Sequence, residues 1–186
     1  MSRFRLLAAM AFALAGFLNA PMAIADTPVT YTDNGKALFS FKAPDFWTVH
    51  VGGTRELTDA KTGEIRSVSR LIGMQPETEK RLWVGFISPF GVRDFAGVRD
   101  YLTDIGPFLV KDAVVEDRVS RQIGGRAART IAGNGKRDGK SVNFTAVAID
   151  LPGNRMAVAV VVMEAGLDPA SVEDVNRIFA SFRVGR

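Results

Sequence analysis

The chain has 186 residues, 47% apolar and 24% charged, a composition that belongs to folded globular proteins rather than disordered ones. It has no cysteine and one histidine, which excludes disulfides, thiolate nucleophiles, Cys-ligated zinc, iron–sulfur clusters and most His-based metal sites. Its formal charge is +4, and loss of Arg3 and Arg5 with an N-terminal leader would bring it to +2, too little to argue for nucleic acid or an anionic membrane surface.

Residues 1–25 read as an export leader. Arg3 and Arg5 give a positive start, residues 6–18 form an apolar run broken only by Gly16, and Ala23-Ile24-Ala25 supplies a small-x-small cleavage pattern. The run is short for a membrane helix, which needs about 20 residues, so an uncleaved anchor is the lesser reading. No cysteine follows it for lipid attachment, and Phe4 separates the two arginines, so the general secretory route is expected. Cleavage after Ala25 would leave residues 26–186 as one domain in the periplasm or outside the cell.

Asp33-Asn34-Gly35 signals a turn, and residues 37–42 alternate, with Phe39 and Phe41 on one side and Ser40 and Lys42 on the other. Ala43-Pro44-Asp45 ends that strand, and residues 46–51 form another, closed by Gly52-Gly53. After a polar turn over residues 59–63, the β-branched stretch 65–74 reads as one strand, and 82–88 as a strand apolar on both faces. The period then changes. Phe95, Val98, Tyr101, Leu102, Ile105, Phe108 and Leu109 fall at helical spacing, predicting a helix over residues 94–109 with Gly106-Pro107 awkward in its last turn.

Residues 113–123 mix charges with Val115, Val119 and Ile123, the pattern of an edge strand. Gly124-Gly125 turns the chain into a short strand over 126–132, and residues 133–139 read as a hairpin loop. Residues 142–151 form an apolar strand. Residues 156–163 are almost wholly apolar, as in a central strand covered on both faces. Asp168-Pro169 then suits the start of a helix whose apolar face carries Val172, Val175, Ile178, Phe179 and Phe182. Four strands, a helix, four strands and a helix imply an α+β domain, a mainly antiparallel β-sheet with helices packed on it.

Three stretches carry a resemblance. Phe39-Ser40-Phe41-Lys42-Ala43-Pro44-Asp45-Phe46-Trp47 resembles the opening of PsbP-like proteins, although many members have Gly where this chain has Phe46. Gly124-Gly125-Arg126-Ala127-Ala128 is similar to the turn leading into their second half, and the stretch from Val172 to Ser181-Phe182-Arg183 is similar to their closing helix. The group includes the extrinsic photosystem II protein, bacterial DcrB-like periplasmic proteins and the Ran-binding import factor family. The resemblance spans roughly residues 30–184 and implies an α/β/α sandwich around a mainly antiparallel sheet. It also implies a binding or assembly factor without enzyme activity. It carries no catalytic signature, so no functional residue is transferred.

The catalytic inventory is thin. His50 sits in a strand pattern with no Gly-x-Ser-x-Gly elbow anywhere in the chain. Asp100 and Asp104 are one helical turn apart, but no calcium-loop pattern accompanies them. Arginine is the suggestive feature. Arg118, Arg121, Arg126 and Arg129 surround the Gly124-Gly125 turn, and guanidinium forks bind carboxylates and phosphates. A solvated strand surface accounts for the same residues. Phe90 and Phe95 flank Gly91-Val92-Arg93, a loop able to offer apolar surface to a partner. The reading is therefore a non-enzymatic exported protein that binds a protein partner or cell-envelope component, with no cofactor or metal expected. Two alternatives stay open: a binder of a small anion through the Arg118–Arg129 region, and a carboxylate-dependent hydrolase.

Overall fold

The computed structural model describes residues 26–58 and 62–185. The leader expected over residues 1–25 lies outside the described residues, as do positions 59–61 of the polar turn. Seven strands precede the first helix: β1 (Asp26–Asp33), β2 (Lys36–Pro44), β3 (Trp47–Val51), β4 (Thr54–Thr58), β5 (Ile65–Ser69), β6 (Ile72–Pro76) and β7 (Leu82–Ile87). Helix α1 (Phe95–Leu109) follows, then β8 (Lys111–Ile123), β9 (Arg126–Arg137), β10 (Lys140–Leu151), β11 (Arg155–Glu164), helix α2 (Pro169–Ala180) and the short β12 (Arg183–Val184).

The main sheet has seven strands in the order β3-β6-β7-β11-β10-β9-β8, every neighbouring pair antiparallel. Strand β11 stands at its centre, where an almost wholly apolar strand belongs, since both its faces are covered. Its residues alternate between two cores. Ala157, Ala159 and Val161 join a cluster with Phe39, Phe41, Phe86, Ile178 and Phe182. Met156, Val158, Val160 and Val162 join another with Val98, Val142 and Phe144. Helix α2 and the three-stranded sheet β1-β2-β12 thus cover one face, and α1 the other. This is an α+β fold with a mainly antiparallel sheet flanked by helices.

Aromatic packing fixes the small sheet to the large one. The ring of Phe41 stacks on Phe86 at 4.4 Å between centroids, Phe39 on Phe182 at 5.3 Å, and Tyr31 on Phe39 at 4.8 Å. Helix α2 starts as its sequence implies, with Asp168 accepting from the Ala170 N–H at 2.9 Å and Pro169 in the first turn. Its anchor is polar: Trp47 Nε1 donates to Asp174 Oδ2 at 3.1 Å inside the protein, and Arg177 pairs with the other carboxylate oxygen. Asp174 is thus buried rather than on the helix's outer face, because an indole and a guanidinium satisfy it there.

Several expectations need correction. The stretch 65–74 is not one strand but two, β5 and β6, in different sheets; the chain breaks at Arg70, whose φ of 61° lies in the left-handed region. Strands β1 and β4 were not apparent as strands in the sequence, since Pro28 and mixed polar residues blur their alternation. The end expected for helix α1 does hold, since it runs through Gly106-Pro107 to Leu109. Most of the loop expected at 133–139 is strand, with only Asp138-Gly139 left to turn at φ of 51° and 78°. Gly133 is there because of a close approach: a Cβ would overlap the Val114 carbonyl oxygen, beside the bulges that shift β8 against β9.

Gly133→Ala is expected to lower stability by about 1–3 kcal/mol through that overlap. Urea denaturation of the variant measures the loss.

Candidate functional site

At one end of the main sheet, the β1–β2 turn, the β5–β6 junction, the end of β7, the start of β11 and helix α1 surround an open cleft of about 700 Å³. Its walls are mixed. Tyr31, Ile65, Val68, Ile87, Pro89, Phe90 and Ile105 are apolar or aromatic, while Asp33, Arg70, Ser88, Tyr101, Asp104 and Arg155 bring polar atoms.

The polar centre is Asp33, the last residue of β1, buried at 8% exposure. Both carboxylate oxygens are engaged: Oδ1 pairs with Arg70 Nη1, and Oδ2 accepts from Arg155 Nη1 at 2.7 Å. Arg155 opens β11 and reaches further, donating through Nη2 to Ser88 Oγ at 3.1 Å and to the Ser88 carbonyl at 3.4 Å. One guanidinium therefore ties the first strand to the end of β7, using the fork geometry that distinguishes arginine from lysine. Arg70 is less enclosed, its side chain 54% exposed, so its other N–H donors are accessible from the cleft.

Two buried polar atoms here have no hydrogen-bond partner among the described residues, Tyr101 Oη and Arg155 Nε. Burial pushes the Tyr101 phenol up to about 12, helped by the nearby Tyr31 and Asp104. The hydroxyl therefore keeps its proton across the physiological range. On the cleft's rim, Phe90 is 95% exposed in the connection from β7 to α1.

The arginines singled out in the sequence do not converge. The register sets Arg118 opposite Ile131 and Arg129 opposite Ala148, on the α1 side of the sheet. Arg121 lies opposite Ala128, on the other side, with Arg126. Arg126 pairs with Asp150, and the Arg129 guanidinium lies 4.5 Å from the Phe95 ring centroid, so Phe95 serves as a cation platform while Phe90 reaches the cleft. His50 is exposed on β3 and lines no part of the cleft. Asp94 caps α1 by accepting from the Gly97 N–H at 2.8 Å, and Asp100 pairs with Arg99 on the surface. Among the described residues no group of three His, Cys, Asp or Glu side chains could hold a metal ion, and no helix is long and apolar enough to cross a membrane. The Asp33–Arg70–Arg155 cluster escaped sequence reading because its members lie 37 and 122 positions apart. The one local signal was an acid, Asp33, following apolar Val29 and Tyr31 at strand spacing.

Asp33→Asn should cost roughly 2 kcal/mol, below the usual value for breaking a buried pair because Arg70 is half-exposed; urea denaturation measures it. The Tyr101 phenol gives a pH signature. The folded state holds its proton above the normal value near 10, so stability should fall as pH rises from about 10 towards 12. The chain has two tyrosines. Tyr101→Phe should remove the absorbance step near pH 12 and leave stability at neutral pH unchanged or higher, since it deletes an unpartnered hydroxyl.

No family model matches the chain, and no curated protein does. Solved structures do. Cyanobacterial PsbP (CyanoP) from Synechocystis sp. PCC 6803 is similar over 89% of this chain and 96% of its own, with TM-score 0.50 and 14% identity. A protein from Bacteroides thetaiotaomicron is similar over 86% of this chain and 48% of its own, with TM-score 0.51 and 9% identity. LpqN of Mycobacterium tuberculosis, involved in cell envelope biogenesis, is similar over 87% of this chain and 91% of its own, with TM-score 0.43 and 15% identity. At such identities the likeness is one of architecture, and the fold of this chain is PsbP-like.

Proposed function

We propose that this chain is a non-enzymatic binding domain of the cell envelope, and that the cleft beside Asp33 receives an anionic, partly apolar group of its partner. The observation that carries the reading is the cleft's division of labour: half-exposed Arg70 beside Asp33 at its polar centre and fully projecting Phe90 on its rim, with about 700 Å³ between walls part apolar and part polar. The leader expected over residues 1–25 supports the envelope location. The chemistry supports binding over turnover. Asp33 has both oxygens occupied by guanidinium groups, and Tyr101 holds its proton far above neutrality, so the phenol is not poised to move a proton near pH 7. The alternative anion site at Arg118, Arg121, Arg126 and Arg129 has less support, because those side chains divide between the two faces of the sheet and two of them already have partners.

Decanoate, a carboxylate with an alkyl tail, is a suitable probe. It is expected to raise the melting temperature and to shift the amide resonances of Asp33, Ser88, Phe90 and Tyr101. Arg70→Ala should weaken its binding about tenfold, the worth of one charge-assisted hydrogen bond, while Arg118→Ala leaves it unchanged. Resonance shifts confined to the β8–β9 turn, or no binding, would overturn the cleft reading.

A further inference from the structure

The main sheet ends on one side in β8, a 13-residue strand paired only with β9 and exposed along almost its whole length. Its outer edge presents backbone N–H and C=O groups that no neighbouring strand pairs among the described residues, a template for another strand. Bulges between Lys111 and Val114 and between Val115 and Asp117 distort the first part, but the pairing with β9 is regular from Asp117 to Ile123. Within this regular part Val119 is 45% exposed, with Asp117 and Arg121 two residues away on either side and on the same face.

We propose that this edge pairs with the β8 edge of a second copy of the chain, antiparallel, about a two-fold axis at Val119. Such an axis sets residue 119 opposite its own copy, 118 opposite 120 and 117 opposite 121. Each Asp117 then faces the Arg121 of the other copy, twice over by symmetry, and the two Val119 side chains cover each other. Arg118 meets Ser120. The sequence selects this register over its neighbours. An axis at Glu116, Asp117, Arg118 or Arg121 opposes two like charges at its centre, and one at Ser120 sets Asp117 against Ile123 and Arg118 against Gln122. Arg121 makes no ion pair among the described residues, so the copy supplies its counter-charge. Among the described residues Asp117 accepts from the adjacent Arg118 N–H alone, at 2.7 Å to Oδ1, which leaves Oδ2 for a guanidinium. A foreign strand would satisfy the backbone equally well, but charges matched to their own mirror order argue for self-pairing. The other edge strand of the sheet, β3, has five residues and no such pattern.

Sedimentation equilibrium of the purified protein across a wide concentration range tests this. A concentration-dependent dimer is expected, weakened by salt. Asp117→Arg alone, or Arg121→Asp alone, should raise its dissociation constant at least about tenfold, since each turns two attractive contacts into repulsive ones. The double variant carrying both changes should restore it. Circular dichroism melting, unchanged for exposed positions, confirms that the variants fold. A second readout is independent of charge. The chain has no cysteine, so Val119→Cys introduces a single thiol. The axis places it about 4.5–5.5 Å, Cα to Cα, from its copy, within disulfide reach, so it should cross-link on mild oxidation. Ala113→Cys, six positions from the axis, should not. A monomer at every concentration, a dimer indifferent to the single reversals, or a double variant as weak as the single ones would each overturn the proposal.

Discussion

Strand β11 can exist only as the middle of something. Its inner residues, from Met156 to Val162, are buried without exception, so neither face can meet water and neither edge can be left unpaired. Paired to β7 and β10, it divides the interior into two cores, and each core needs its own cover. The rest of the fold answers that demand. Helix α1 lies over Val158 and Val160. Helix α2 and the β1-β2-β12 sheet lie over Ala157, Ala159 and Val161, where alternating alanines leave room for the rings of Phe39, Phe41, Phe86 and Phe182. Large side chains above small ones is the packing logic of that face.

Covering two faces with elements from distant parts of the chain leaves a seam, and the cleft lies on it. The β1–β2 turn reaches past the end of the main sheet towards the α1 side, where apolar packing alone cannot close the gap. Polar groups fasten it instead. Asp33 is held by Arg155 from the first residue of β11, the strand that organises the sheet, and Arg155 also holds Ser88 at the end of β7. The position of the cleft and the stability of the fold thus share a residue. A site formed where the framework must be pinned is rigid on that side, whereas Phe90 on the opposite rim has almost no contacts to restrain it.

What the sequence revealed follows the same division. The strands with clean alternation or unbroken apolar character, residues 37–42, 82–88 and 156–163, were legible because one contact environment governs each. The edge character of β8 was legible from charges on both parities. What was obscure depended on partners far away in the chain. Arg70 breaks 65–74 in two because its backbone takes a left-handed turn that no residue-type preference announces. The glycines at 133 and 135 looked like loop formers, yet they sit in a strand where the neighbouring β8 backbone presses close. The burial of Asp174 was hidden because its partner, Trp47, is 127 positions earlier. The PsbP-like architecture was legible from element order, whereas the cleft was not, since its polar residues come from five separate elements or connections.

The use of arginine, whose clustering around the Gly124-Gly125 turn first suggested an anion site, has a partly structural origin. The two buried carboxylates among the described residues, Asp33 and Asp174, pair with arginine, and half-exposed Asp150 does too. Among the described residues Lys136 pairs with Asp112, both mostly open to solvent, and Lys140, itself mostly exposed, reaches the more enclosed Glu164 from outside. The difference is geometric. Arg155 bonds a carboxylate and a serine at once, and Arg126 bonds both the carboxylate and the backbone carbonyl of Asp150, which a single ammonium centre does less well at a buried junction. Arginine is therefore the residue by which this chain carries charge into a largely apolar frame. Arg70, which holds Asp33 yet keeps donors open to the cleft, and Arg121 on the open edge direct their chemistry outward as well.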